Sequence, residues 1–183
     1  STLDGDGITY ATVDRYVDGD TTYFRANLST GPNDISVRYL GLDTPESTYK
    51  VEPWGIAAAK FTKTKLENAE SIILQSDPTG LFDSNSRYLA YVWYRNSSAE
   101  PYRLLNLELV EVALAKAKAN DTIYAKNFND AVYDVTLNRC RVYGYNNDPD
   151  FDYSKESEAM SLKEIKENYG SIEAANQGKD KGK

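Results

Sequence analysis

The sequence contains no histidine and a single cysteine among its 183 residues. Zinc sites of the four-Cys or Cys/His type and an internal disulfide are therefore excluded. Any acid–base chemistry must be carried by carboxylates, lysine, tyrosine or water, because the imidazole group is missing. The chain also lacks an apolar run long enough to span a bilayer. No signal-peptide pattern is found at Ser1, which leaves an earlier, removed signal segment open.

The composition is sufficient for one hydrophobic core. Apolar residues make up 40% of the chain, and the length predicts one domain plus an appendage. The net charge of −7 argues against tight non-specific binding to a polyanion. Most of that charge lies in residues 1–17 and 145–183, however. The segment 18–144 is therefore close enough to neutral to carry a local phosphate site.

Residues 37–46 predict a strand that ends at a group of charged side chains. The segment alternates in polarity, with Arg38 on one of its two faces. Pro45 cannot donate to a sheet ladder, so the strand stops there. This stop displays Asp43 and Glu46 near the same strand end. Two carboxylates for a metal and one guanidinium for a phosphate are groups that phosphodiester chemistry uses.

Polarity patterns and turn residues divide the rest of the chain into short elements. The predicted strands cover residues 8–17, 21–28, 37–42, 71–75 and 88–93, and the predicted helices cover 53–70, 104–118 and 127–138. Asp18-Gly19 is typical of a hairpin turn. Asp20 follows at the start of the second strand, where its carboxylate could reach a ligand. This order predicts an α+β, mainly β fold: a five-stranded OB-fold Greek-key barrel with three attached helices.

The chain divides into three predicted regions. Residues 1–7 form a flexible lead-in, residues 8–144 form the barrel domain, and residues 145–183 form an acidic C-terminal extension. A Ser-x-x-Glu capping box in the extension predicts a short helix over 161–169. The extension also carries a few apolar residues. It stays open whether the extension is solvated or docks onto the barrel.

Five groups of residues occur in a fixed order along the barrel segment. They are Asp18-Gly19-Asp20-Thr21; Arg38 with Leu42-Asp43-Thr44-Pro45-Glu46; Phe61-Thr62-Lys63 with Glu67-Asn68-Ala69; Arg87 with Leu89-Ala90-Tyr91; and Asn106 with Leu114-Ala115-Lys116. Any one group alone indicates little. With all five at these spacings, the chain resembles the staphylococcal nuclease (thermonuclease) family over residues 8–144.

The resemblance implies a Ca²⁺-dependent nuclease that cleaves DNA and RNA, preferably single-stranded, to 5′-hydroxyl and 3′-phosphate ends. It implies that Asp20 and Asp43 are carboxylate ligands of the calcium ion and that the Thr44 carbonyl is a third ligand. Calcium takes six to eight oxygens in irregular geometry, which suits a cluster at a strand end. The resemblance also implies a monomer that is secreted or attached to the cell surface.

For catalysis, the resemblance implies that Glu46 activates the attacking water and that Arg38 and Arg87 bind the phosphate. A pentacoordinate transition state accumulates negative charge, which guanidinium groups stabilise. Non-catalytic interpretations are also open. From position alone, Arg38 could be an ordinary strand residue and Glu46 a surface charge. The family's Lys-Tyr-Gly run before the second arginine is replaced by Ser84-Asn85-Ser86. This departure leaves the nucleotide pocket uncertain.

Two other functional classes stay open. One is a catalytically silent OB module that binds nucleic acid or protein. Inactive nuclease-like repeats of this kind typically lose the metal carboxylates or the arginines, and this chain keeps them. The other is a calcium-dependent surface or adhesion domain, against which the lack of Gly-Asp repeats counts. A nuclease assay with and without a chelator separates all three.

Overall fold

The structure, a computed structural model, describes residues 7–29, 31, 33–118, 122–144 and 146–155. The chain forms two compact units, residues 1–150 and 151–183. The first unit thus continues beyond residue 144, where the sequence places the end of the barrel domain. The helix expected over 161–169 lies outside the described residues. In the second unit the rings of Phe151 and Tyr153 pack edge to face.

The first unit contains eight strands and three α-helices within its described residues. They are β1 (Ile8–Asp18), β2 (Thr21–Ala26), β3 (Asp34–Tyr39), β4 (Leu42–Asp43), α1 (Gly55–Glu67), β5 (Ser71–Gln75), β6 (Tyr88–Arg95), β7 (Arg103–Leu104), α2 (Leu105–Glu111), β8 (Lys116–Ala117) and α3 (Ala125–Asn138). A single 3₁₀ turn follows at Arg141–Tyr143. Of the helices in the described part of the chain, none is both long and apolar enough to cross a bilayer.

Five of the strands close into a barrel. Antiparallel pairs join β3 to β2, β2 to β1, β1 to β5 and β5 to β6. A parallel pairing between β3 and β6 closes the circle. β7 extends the sheet beside β6, and β4 and β8 form a separate two-stranded sheet. The predicted α+β class and the five-stranded barrel with three helices are confirmed.

The barrel core explains why these strands form. In β3, Ile35, Val37 and Tyr39 are buried and alternate with more exposed neighbours, as a sheet with one covered face requires. Full burial of one large apolar side chain contributes about 1.5–3 kcal/mol relative to exposure. The Tyr39 hydroxyl is also satisfied, because it shares a hydrogen bond of 2.8 Å with Thr22. The strand that carries Arg38 is therefore firmly held from its buried face.

The strand predicted over residues 37–42 is interrupted at Gly41. This glycine has φ = 82°, in the left-handed region that glycine adopts without steric cost. The chain turns here, and β4 pairs with β8 instead of continuing β3. The turn ends the alternation of β3, and Leu42 in β4 is buried in the core.

Two predicted helices are shorter in the structure. The helix predicted over 53–70 begins at Gly55 and ends at Glu67. The helix predicted over 104–118 ends at Glu111, and Ala113 then adopts a left-handed conformation with φ = 59°. The chain leaves the helix there to form β8. Apolar spacing alone did not distinguish this turn and strand from a longer helix.

Candidate active site

The carboxylates of Asp20 and Asp43 meet at one nitrogen of Arg38. Arg38 Nη2 lies 3.0 Å from Asp20 Oδ2 and 2.6 Å from Asp43 Oδ1. The register of the barrel explains the first contact, because Thr21 at the start of β2 pairs with Arg38 in β3. The turn at Gly41 explains the second, because it brings β4 back beside the end of β3. Residues distant in sequence thus form one charged cluster.

Asp20 is almost completely buried, with 4% of its surface exposed. Its Oδ2 atom accepts a hydrogen bond of 3.0 Å from the Thr44 amide, and its Oδ1 accepts one of 3.1 Å from Thr21 Oγ1. Burial raises the pKa of Asp20, while the Arg38 guanidinium and these donors oppose the rise. The charge on Asp20 therefore depends on Arg38, or on another cation in its place.

The donor set around this cluster suits a hard divalent cation. Asp20 and Asp43 supply carboxylate oxygens. Thr44 Oγ1 is buried and has no hydrogen-bond partner. Oxygen ligands of this kind are those that Ca²⁺ prefers, with water filling the remaining positions. Within the described residues no group of three or more His, Cys, Asp or Glu side chains forms a fuller metal site. Two carboxylates would leave much of a metal ion's coordination shell to backbone oxygens, water or substrate.

Glu46 lies at the start of the loop that follows this cluster. Its amide donates a 2.8 Å hydrogen bond to Glu52 Oε1, and the Glu52 amide donates a 2.9 Å bond to the Glu46 carbonyl. Although the residue is exposed overall, partial loss of hydration raises the pKa of its carboxyl group to about 7, and neighbouring carboxylates add to the rise, Asp18 most. A carboxylate with a pKa near 7 is suited to accept a proton at neutral pH.

Asp18 fixes the loop after Glu46, a role that the sequence did not reveal. Its Oδ1 atom accepts hydrogen bonds from the Ser47 amide at 3.1 Å, from Ser47 Oγ at 2.6 Å and from Thr48 Oγ1 at 3.2 Å. The sequence interpretation assigned Asp18-Gly19 to the hairpin turn alone. Asp18 was missed because its partners lie far along the chain.

Helix α1 begins directly against the backbone of Glu46. A Cβ atom at Gly55 would lie 1.9 Å from the Glu46 carbonyl oxygen, so only glycine fits there. Further along the helix, Thr62 Oγ1 donates a 2.6 Å hydrogen bond to the Gly19 carbonyl. Before the helix, the Trp54 amide donates to the buried carboxylate of Asp148. The helix therefore supports both the hairpin turn and the Glu46 loop.

Arg87 is held by a partner in its own loop. Its Nε and amide nitrogens lie 2.7 and 2.9 Å from the two carboxylate oxygens of Asp83. In the parallel β3–β6 pairing, Arg38 is opposite Leu89. Arg87 directly precedes Tyr88, the first residue of β6, which pairs with Val37 in β3. The structure thus places Arg87 near the strand of the cluster, with its guanidinium paired to Asp83.

Lys118 is a member of the cluster that sequence reasoning missed. Its Nζ lies 3.1 Å from Asp43 Oδ2, and its amide donates a 2.7 Å hydrogen bond to the Gly41 carbonyl. The sequence assigned Lys118 to the end of a helix, so nothing indicated that it approaches Asp43. The pairing of β4 with β8 makes the contact. Lys118 adds a second positive charge beside Asp43.

Comparison with known proteins points to one family. The sequence profile of the staphylococcal nuclease homologue family matches residues 36–135. A thermonuclease from Staphylococcus intermedius is 36% identical over 109 residues, which cover 58% of this chain and 58% of that protein. An uncharacterized protein of Methanocaldococcus jannaschii is 26% identical over 159 residues, which cover 75% of this chain and 73% of that protein.

The matched segment contains five of the six predicted site residues, since it begins just before Arg38 and ends after β6. Asp20 lies outside the matched segment, but its ion pair with Arg38 places it in the same charged cluster. The match covers more than half of the chain. The chain belongs to the staphylococcal nuclease homologue family.

Proposed function

We propose that this protein is a calcium-dependent nuclease that hydrolyses DNA and RNA to 5′-hydroxyl and 3′-phosphate products. The observation that carries the proposal is the meeting of Asp20 and Asp43 at Arg38, beside a glutamate whose pKa is about 7. This combination provides ligands for a cation, a donor for a phosphate and an acceptor for a proton. A silent binding module has no need to keep all three.

In the proposed reaction, Glu46 accepts a proton from the attacking water. A bond forms between the water oxygen and phosphorus, and the bond from phosphorus to the 5′ oxygen breaks. The departing oxygen keeps the bonding electron pair and takes a proton from solvent to become the 5′-hydroxyl. The raised pKa makes the Glu46 carboxylate a stronger base than an ordinary glutamate, while near neutral pH a large fraction stays ionised. The loop contacts of Asp18 and Glu52 hold Glu46 in place for this transfer.

Arg38 and Arg87 are proposed to bind the phosphate oxygens, on which negative charge increases in the transition state. A guanidinium presents two parallel N–H donors, so it can hold two of these oxygens at once. Asp20, Asp43 and the Thr44 carbonyl are proposed to hold a calcium ion, which when bound polarises the phosphate. Arg38 would then be released from its direct contacts with the two aspartates and become available to substrate.

The proposal also includes a preference for single strands, a monomeric state and a secreted or surface-attached location. These three features rest on the family resemblance alone.

A cleavage assay tests the proposed function. Single-stranded DNA and RNA are incubated with the protein in Ca²⁺, in excess EGTA, and in EGTA followed by excess Ca²⁺. We expect cleavage in Ca²⁺, its loss in EGTA and its recovery on adding Ca²⁺ back. Mg²⁺ should serve poorly, because it demands near-ideal octahedral geometry. Equal activity in EGTA would rule out the calcium dependence, and binding without cleavage would indicate a silent module.

The ends of the products test the direction of cleavage. A 5′-hydroxyl end accepts a phosphate from a polynucleotide kinase without prior treatment, and a 3′-phosphate end blocks extension by a polymerase. Products with the opposite ends would contradict the proposed breakage of the bond to the 5′ oxygen.

Arg87→Lys is expected to lower the rate of cleavage at least about tenfold, which corresponds to about 1.4 kcal/mol of transition-state stabilisation. Lysine keeps the charge but cannot present two parallel donors to a phosphate. The unfolding midpoint should change little, since lysine keeps a positive charge for Asp83 and the amide of residue 87 still donates to that carboxylate. Rates and melting curves are measured together, with Arg25→Lys as the control at an exposed ion pair. A slow variant that is also largely unfolded would give Arg87 a structural role instead.

A further inference from the structure

The loop between β4 and α1 carries a tyrosine whose ring is fully exposed. Tyr49 is 108% exposed, more than Tyr10 and Tyr133 at 69% and 67%. A large aromatic ring in water contributes nothing to the folded core. Val51, two residues further along, is also exposed. The loop thus presents apolar surface next to the proposed active site.

The backbone of Tyr49 is strained. Its φ angle is 60°, a left-handed conformation that is uncommon for a residue other than glycine, asparagine or aspartate. A strained backbone persists only where the surrounding structure determines it, and such residues are frequent at functional sites. Glycine would adopt this conformation at no cost, so the side chain has no evident structural purpose here.

Both ends of the loop are anchored. On one side, Ser47 and Thr48 donate to Asp18. On the other side, Glu46 and Glu52 exchange hydrogen bonds of 2.8 and 2.9 Å across the base of the loop. The ring of Tyr49 is therefore displayed from a closed loop of fixed position. Three residues reach at most about 11 Å, so the backbone of Tyr49 lies close to that of Glu46.

We propose that Tyr49 is a stacking platform for an unpaired nucleobase of the substrate strand, and that it makes the enzyme prefer single strands to duplexes. This inference rests on the proposed nuclease function. Every base offers a flat π-face, so an exposed aromatic ring binds single strands regardless of sequence. In a duplex the bases are paired and stacked on each other, and a base must be unstacked before it can reach the ring. Tyr49 would then determine the kind of strand cleaved without taking part in the chemistry.

Three substrates separate stacking from phosphate binding: a single-stranded oligonucleotide, the same strand in a duplex, and a strand of equal length built from tetrahydrofuran abasic residues. Values of kcat/KM are measured for the wild type, Tyr49→Ala, Tyr49→Phe and Tyr49→Trp in Ca²⁺. Tyr133→Ala is the matched control, because Tyr133 is a 67% exposed tyrosine on α3.

We expect Tyr49→Ala to reduce the preference for the single strand over the abasic strand about tenfold, which corresponds to about 1.4 kcal/mol of stacking. The loss should come mainly through KM, and the preference over the duplex should fall with it. Tyr49→Phe and Tyr49→Trp should retain both preferences, since each keeps an aromatic face. Tyr133→Ala should retain them as well.

Tyr49→Gly separates the effect of the aromatic ring on substrate preference from the effect of the strained backbone. It removes the ring and relieves the strained conformation, so it should lose the preference as Tyr49→Ala does. Unchanged preference in Tyr49→Ala, or full preference in Tyr49→Gly, would overturn the inference. A wild-type protein that cleaves none of the three substrates would instead refute the proposed nuclease function.

Discussion

Glu46→Gln is expected to lower the turnover of single-stranded DNA by about 10²–10⁴-fold, the range typical of a positioned acid–base group. Glutamine keeps the size and shape of the side chain but cannot accept a proton from water. The effect should be large because the Glu46 carboxyl has a pKa of about 7 and is held by a loop that Asp18 anchors. Single-turnover cleavage at saturating Ca²⁺ measures the chemical step directly.

The controls for this variant separate water activation from metal binding. Calcium binding by calorimetry should change little, since Asp20 and Asp43 are untouched. Glu52→Gln is the matched substitution, because Glu52 lies in the same loop and its side chain accepts the Glu46 amide. Glutamine can still accept that bond, so Glu52→Gln should lose far less activity. Near-native turnover of Glu46→Gln would mean that another group activates the water.

The raised pKa of Glu46 also predicts how stability depends on pH in the metal-free protein. Folding favours the protonated form, so this residue costs no stability below about pH 4.5, and the cost grows until pH passes about 7. Glu46→Gln removes the charge. In EGTA it should therefore be more stable than the wild type at about pH 8 and similar at about pH 4. The gain should be about 1 kcal/mol, because the exposed carboxyl is well screened.

The parts of the fold that were predictable are those with short-range signals. The strand of Ser71–Gln75 follows directly from its apolar residues, and the turn at Asp18-Gly19 from its dipeptide. Asp20 and Asp43 each stand at a strand end, so their approach to one charged cluster was predictable. Their role as metal ligands stays a prediction. The barrel class then followed from the order of the elements.

The parts that were not predictable depend on contacts between distant segments. Lys118 reaches Asp43 only because Gly41 interrupts β3 and allows β4 to pair with β8. The left-handed turn at Ala113 ends α2, although the apolar spacing continues. Asp148 contacts the start of α1 from a segment that the sequence assigned to the acidic extension. Neither these contacts nor the turn at Ala113 has a local sequence signal.

Arg38→Met is expected to destabilise the metal-free protein by about 3 kcal/mol, the lower end for a broken buried ion pair. The reason is the burial of Asp20, whose charge would lose a guanidinium 3.0 Å away, while the ammonium group of Lys118 contacts Asp43 instead. Methionine matches the apolar stem of arginine, so packing is largely kept. Denaturant unfolding in EGTA measures the loss. Arg25→Met is the control, since Arg25 pairs with Asp14 at the surface and should contribute less than about 1 kcal/mol.

Calcium and pH should each reduce this loss of stability. A cation that binds the native state of Arg38→Met would neutralise the same carboxylates, so Ca²⁺ should stabilise the variant more than the wild type. Lower pH should also reduce the loss of stability in Arg38→Met. Burial already raises the pKa of Asp20, and a protonated aspartate needs no cation. If Arg38→Met is as stable as the wild type in EGTA, Arg38 does not hold the carboxylates together. If its stability is lost and Ca²⁺ restores none of it, the cluster is an ion pair that serves the fold and not a metal site.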